Sequence, residues 1–121
     1  MRRVIVTGGA GFIGSNLVKY LLKKKYFVIN LDKLGYSANP YNLKNLDKNK
    51  NYIFFKVDLN NKKKITKILH KYKPQGIFNL AAETHVDRSI DQPKHFISSN
   101  ILGTYNLLEA ILNYNRKIKI V

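Results

Sequence analysis

The stretch Val4-Ile5-Val6-Thr7-Gly8-Gly9-Ala10-Gly11-Phe12-Ile13-Gly14 joins a short apolar run to three glycines at three-residue spacing. An amphipathic segment follows, with Leu17, Val18, Leu21 and Leu22 on one stripe. Few folds accept this order. Gly8 can leave a strand through a tight turn, where a side chain would restrict the backbone. Gly11 lets the backbone come close to a ligand's phosphates, and Gly14, one turn into the helix, lets that helix pack against the sheet. The N–H groups and positive end of a helix starting near Phe12 then face an anion. The pattern also requires an acidic residue about 20 positions on. Asp32 supplies it, closing the run Tyr26-Phe27-Val28-Ile29-Asn30-Leu31. These features predict a dinucleotide pyrophosphate on the glycine turn. A carboxylate at the end of the second strand accepts hydrogen bonds from ribose hydroxyls and repels a 2′-phosphate, so NAD is expected over NADP. Lys33 beside it would tolerate a phosphate. The alternative for Asp32 is that it only caps a turn.

Strand and helix patterns alternate along the rest of the chain. Short apolar runs predict strands at 3–7, 26–31, 52–57, 76–80 and 117–121. Helices are expected at 12–24, 62–72 and 93–115. The second has an apolar stripe of Ile65, Ile68, Leu69 and Tyr72. The third opens at Asp91-Gln92-Pro93, a helix-start signal, and the period places Ile97, Ile101, Thr104, Leu108 and Ile111 on one face. Residues 33–51 read as an irregular connection with a helical turn near Tyr41 to Leu46. The expected architecture is α/β, a Rossmann-type doubly wound parallel sheet of five strands. Right-handed crossovers favour the order 3-2-1-4-5, with the ligand crevice at the carboxyl ends of strands 1 and 4. Residues 1–121 read as one domain whose fifth strand ends without a closing element, so the architecture is expected to be incomplete at its C-terminus.

Composition narrows the choice of function. There is no cysteine, hence no thiolate metal site or disulfide framework. No apolar run reaches membrane-spanning length, and the glycine turn interrupts the apolar run after Met1-Arg2-Arg3 too early for a leader. A cytoplasmic protein is expected. The net charge of +15 raises the question of nucleic acid. However, the basic residues are mostly scattered lysines, and the runs Lys23-Lys24-Lys25 and Lys62-Lys63-Lys64 fall at helix ends. Nucleic-acid readers add arginines, groove aromatics or a known motif, so a lysine-rich solvated surface is the simpler reading.

A second dense constellation follows strand 4: Leu80-Ala81-Ala82-Glu83-Thr84-His85-Val86-Asp87-Arg88-Ser89-Ile90. Small residues at 81 and 82 admit a ligand to the strand end. The polar groups beyond, with Ser99, Asn100 and Thr104 on the following helix, need partners that a nucleotide sugar could supply. Thr7 to Gly14 resembles the extended short-chain dehydrogenase/reductase superfamily. Leu31-Asp32-Lys33-Leu34, the stretch from Leu80 to Ile90, Asn100-Ile101-Leu102-Gly103-Thr104 and Leu107-Leu108-Glu109-Ala110 resemble, more narrowly, the dTDP-glucose 4,6-dehydratases.

That resemblance implies an NAD-dependent lyase acting on dTDP-glucose. Hydride leaves C4 of the sugar, water is eliminated across C5 and C6, and hydride returns to C6, giving a 4-keto-6-deoxy sugar. It implies contacts from Gly8, Gly11, Phe12, Ile13 and Gly14 at the pyrophosphate, and from Asp32, Lys33, Leu34 and Gly35 at the adenosine ribose. Asp58 and Leu59 would lie at the adenine. Leu80, Ala81, Ala82, Glu83, Thr84 and Ser99 would lie along the nicotinamide side, with Thr84 also reaching the substrate. A homodimer is implied for the full-length family. Gly35 departs from the family's usual threonine, and residues 36–43 form a slightly longer connection than usual. The family's Tyr-x-x-x-Lys base and Asp-Glu elimination pair are expected beyond residue 121, leaving no catalytic group in the chain.

Tyr20/Lys24 and Tyr52/Lys56 match Tyr-x-x-x-Lys but fall on the first helix and third strand, so both are read as coincidence. Glu83 and His85 could form an acid/base pair in a self-contained enzyme. They are expected instead to organise their loop with Asp87 and Arg88. His70 and His95 are read as surface or packing residues. Three other functions stay open: a nucleotide-sugar epimerase or decarboxylase of the same superfamily, an inactive NAD-binding module, and a charge-driven polyanion binder.

Overall fold

In a computed structural model of the protein, all residues are described except 36, 37, 83–89 and 116. Five parallel strands form one sheet: β1 (Arg3–Thr7), β2 (Phe27–Asp32), β3 (Tyr52–Lys56), β4 (Gly76–Asn79) and β5 (Lys119–Ile120). Their order is β3-β2-β1-β4-β5, as the crossover rule predicts. The order reverses between β1 and β4, which are neighbours in register from Val4↔Gly76 to Thr7↔Asn79. β5 is shorter than its apolar pattern suggests.

Strand alternation divides the core into two layers. Val4, Val6 and Val28 face α1 (Phe12–Lys23) and pack with Val18, Leu21 and Leu22. Ile5, Ile29, Leu31 and Ile77 face the other way, onto α2 (Lys62–Tyr72) and the helix that follows β4. There Ile65, Ile68 and Leu69 meet Leu107 and Ile111. A Lys62–Glu109 ion pair joins the same two helices at the surface.

The long third helix is composite. A short α3 (Pro93–Ile97) runs into a π turn (Ser98–Leu102) and then α4 (Gly103–Tyr114). Pro93 occupies the first turn of α3, as its start signal predicts, with Gln92 at the cap position. The apolar face expected from the period is wrong in its main members. Ile97, Ile101 and Leu108 are exposed, and the buried residues are Gly103, Leu107, Ala110 and Ile111. The segment is apolar on both faces, so periodicity alone does not select one. The small residues Gly103 and Ala110 do, because they let the backbone approach closely. A Cβ at Gly103 would make an ordinary contact, 3.6 Å from the Leu59 Cβ, so this face of α4 lies against Leu59.

The connection from 33 to 51 contains two 3-10 turns, Pro40–Leu43 and Leu46–Lys48, in place of the one turn expected. It is tied to the glycine turn, since the Asn39 N–H and the Asn42 carboxamide both donate to the Ala10 carbonyl. The histidines behave as read. His70 packs edge-on against Tyr114, and His95 sits exposed on α3.

Candidate functional site

Gly8 leaves β1 with φ +70, a left-handed conformation that a side chain resists, and its N–H donates to the Leu31 carbonyl. A Cβ there would lie 2.6 Å from the Leu80 carbonyl oxygen. The chain turns through Gly9 and Ala10 into α1, whose cap position is Gly11. No side chain caps this helix and its first turn has no acidic residue, so its positive end is left for an external anion. A Cβ at Gly11 would meet only the Gly8 carbonyl, at 3.4 Å. Gly14 is tighter than its assigned task implies. A Cβ there would lie 2.2 Å from the Gly8 carbonyl oxygen, so it packs against the glycine turn itself.

One buried side chain secures the turn from below, and another ties β1 to β4 beside it. Asp32, 8 % exposed, accepts from the Ala10 N–H at 2.9 Å with one carboxylate oxygen and from the Leu34 N–H at 2.7 Å with the other. The capping role is therefore real. It does not exhaust the group, since an ionised carboxylate has about four acceptor positions. Thr7, fully buried, donates to Asn79 Oδ1 at 2.6 Å and accepts from the N–H groups of Leu80 and Ala81. It thereby joins the ends of β1 and β4 across the point where strand order reverses.

These elements enclose a crevice of about 480 Å³. Gly8, Gly11 and Gly14 form one wall, with Phe12 and Ile13 at its lip, 80 % and 69 % exposed. Asp32, Lys33 and Gly35 form the β2 side. Asp58 and Leu59 line it after β3, Leu80, Ala81 and Ala82 after β4, and Ser99 closes it from the π turn. Lys33 donates to Ser99 across the opening. The Ser99 segment is steadied by Asn60, whose carboxamide donates to the Ser98 carbonyl at 3.2 Å and accepts from Asn106 at 2.8 Å.

Leu34 is not among the lining residues; its φ of 57 and its N–H to Asp32 make it part of the turn. Glu83 and Thr84, with His85, Asp87, Arg88 and Ser89, lie outside the described residues. Leu31, Ala38 and Val57 line the crevice without having been expected there. Thr7, Gly9 and Asn30 were also missed. For Thr7 and Asn30 the only signal was a polar residue within an apolar strand run, since it must find a partner once buried. Neither Tyr20/Lys24 nor Tyr52/Lys56 lines the crevice. Tyr20 lies on exposed α1 surface, and the Tyr52 hydroxyl accepts from Asn30.

A doubly wound parallel sheet with its crevice at the reversal of strand order is the architecture of the dinucleotide-binding α/β proteins. Within that class, the chain belongs to the GDP-mannose 4,6 dehydratase family, whose model matches residues 5–121. It is 48% identical over 115 residues to the dTDP-glucose 4,6-dehydratase of Haemophilus influenzae, covering 94% of this chain and 34% of that protein. The chain spans about a third of the length of the curated relatives it matches. Its fold is similar to that of the dTDP-glucose 4,6-dehydratase from Streptomyces venezuelae, solved with NAD bound (TM-score 0.86, 37% identity, 93% of this chain and 36% of that one). The UDP-glucose 4-epimerase of Thermotoga maritima is also similar (TM-score 0.84, 34% identity, 93% and 35%). The dehydratase resemblance read from the sequence is borne out by these matches. Among the described residues, no helix is long and apolar enough to cross a membrane.

Proposed function

We propose that the chain binds NAD in this crevice and serves as the cofactor-binding part of a dTDP-glucose 4,6-dehydratase. The observation that carries the reading is the shape and chemistry of the glycine turn. It offers an uncapped helix end and a backbone bare of side chains toward the crevice, beside a carboxylate with acceptor capacity to spare. Gly8, Gly11, Phe12, Ile13 and Gly14 would hold the pyrophosphate, and Asp32, Lys33, Leu34 and Gly35 the adenosine ribose. Asp58 and Leu59 would flank the adenine. Leu80, Ala81, Ala82, Glu83, Thr84 and Ser99 would lie along the nicotinamide, with Thr84 reaching the sugar. NAD bound there would supply a hydride acceptor and donor. The chain's own contribution is placement: the dipole of α1 offsets pyrophosphate charge, Asp32 orients the ribose, and the exposed Phe12 and Ile13 side chains exclude water once covered.

The curated relatives support the dehydratase reading, with 48%, 44% and 43% identity to three dTDP-glucose 4,6-dehydratases. The homodimer is part of the same proposal. The exposed apolar row Ile97, Ile101, Tyr105, Leu108 and Leu112 supports it.

The test is a calorimetric titration of the chain with NAD at low and moderate salt, beside NADP and an Asp32→Ala variant. Saturable NAD binding that survives moderate salt, weaker NADP binding and loss in the variant are expected. Binding that collapses with salt and ignores Asp32 would show a polyanion binder instead. For the reaction, mass spectrometry of dTDP-glucose incubated with NAD and the chain joined to the catalytic groups expected beyond residue 121 separates loss of water from the mass-neutral product of an epimerase.

A further inference from the structure

Asn30 lies in the middle of β2 with no exposed surface, paired in register with Val6 on one side and Phe54 on the other. Its Nδ2 donates to the Tyr52 hydroxyl at 3.0 Å. Its Oδ1 is buried with no hydrogen-bond partner among the described residues. A buried acceptor without a partner is costly and calls for a physical reason. The reason lies directly above it. A Cβ on Gly9 would sit 2.1 Å from Asn30 Oδ1, 2.4 Å from its Cγ and 2.6 Å from its Nδ2. The carboxamide thus occupies the volume that a side chain at position 9 would fill. It is held there by two neighbouring strands and by Tyr52.

We infer that Asn30 is a positioning residue for the glycine turn, acting through Gly9, and that the two form a matched pair. Asn30 and Asp32 are two apart on β2 and share a face. Asp32 pulls on the turn by accepting the Ala10 N–H, and Asn30 limits its approach by contact at Gly9. From above, Gly14 presses on the Gly8 carbonyl. The height of the turn over the sheet, and with it the position of the N–H groups that open α1, is set between these contacts. The glycine at position 9 is therefore dictated by Asn30, and the ligand-facing glycines are not its cause. The inference rests on the NAD-binding reading for its functional consequence.

The experiment is a double-mutant cycle of Gly9→Ala and Asn30→Ala, read by calorimetric NAD affinity well below each variant's melting temperature. Gly9→Ala should weaken NAD roughly tenfold or more, the size of a tight-packing penalty. Asn30→Ala should weaken it about threefold by freeing the turn. In the Asn30→Ala background the alanine methyl at position 9 has room, so adding Gly9→Ala should cost at most about twofold. Equal factors in both backgrounds would overturn the proposal. So would an Asn30→Ala variant with a lowered melting temperature and unchanged affinity, which would make Asn30 a core residue only. Amide NMR keeps the test independent of the cofactor. In Asn30→Ala the Gly8, Gly11 and Gly14 resonances should move while Gly76 and Gly103 stay, and no movement refutes the inference even if the wild-type chain binds no NAD.

Discussion

Replacing Gly14 by alanine should destabilise the protein, although alanine is the better helix former. In a helix interior the exchange is worth about 1 kcal/mol in favour of alanine. Against that stands a methyl carbon 2.2 Å from the Gly8 carbonyl oxygen and 2.9 Å from both the Gly8 carbonyl carbon and the Gly9 Cα. All three are backbone atoms, so no side chain can rotate away. The turn must move, and it is held by Asp32 through Ala10 and by the Gly8 N–H on Leu31. Overpacking typically costs about 1–3 kcal/mol, and rigid neighbours place this site at the upper end. The net is a loss of about 2 kcal/mol, or roughly 8 °C in melting temperature for a domain near this size. Gly103 is the control. It has helical geometry (φ −60, ψ −46), and its Cβ would make ordinary contacts at 3.6 Å with the Leu59 Cβ and the Ser98 carbonyl oxygen. Gly103→Ala should therefore stabilise by about 0.5–1 kcal/mol. Thermal unfolding followed by far-ultraviolet circular dichroism reads both. If Gly14→Ala melts at or above the wild type, or if the two substitutions shift the midpoint in the same direction, steric closure of the glycine turn is not what fixes position 14.

Thr7→Val keeps the shape of the side chain but removes a hydroxyl that joins Asn79 to the Leu80 and Ala81 N–H groups. It should lower stability by about 2 kcal/mol in urea titrations and speed amide exchange at 80 and 81. Tyr52 is held above the usual tyrosine pKa, chiefly by burial and further by the Asp32 and Asp47 charges, with the Asn30 hydrogen bond opposing. A folded-state pKa above the unfolded one gives a contribution that is complete below about pH 10 and lost as pH rises through the native value. The wild type should thus lose stability more steeply than Tyr52→Phe in the alkaline range. Parallel urea midpoints above pH 10 would refute the assignment.

Much of the fold was legible because each signal was local. The alternation of Val4, Ile5 and Val6 fixes which side chains enter which core layer, and the stripes at 17–22 and 65–72 each had one apolar face to offer. The glycine spacing and Asp32 located the crevice, since a turn without side chains beside a carboxylate is a property of residue types. The helix after β4 was misread because both its faces are apolar. Only packing against Leu59 and α2 reveals that Gly103 and Ala110 mark the buried one. Asn30 and Thr7 were invisible as site residues for the same reason: their role depends on which backbone lies above or beside them, and Asn30 is 21 residues from the turn it supports. The sequence by itself determined the alternating elements, the strand order through the handedness of its crossovers, and the residues at the strand ends. Only the tertiary structure decided the face of α4, the bonds of Asp32 to the Ala10 and Leu34 N–H groups and the contact between Asn30 and Gly9, because steric fit between distant segments leaves no period or spacing in the chain.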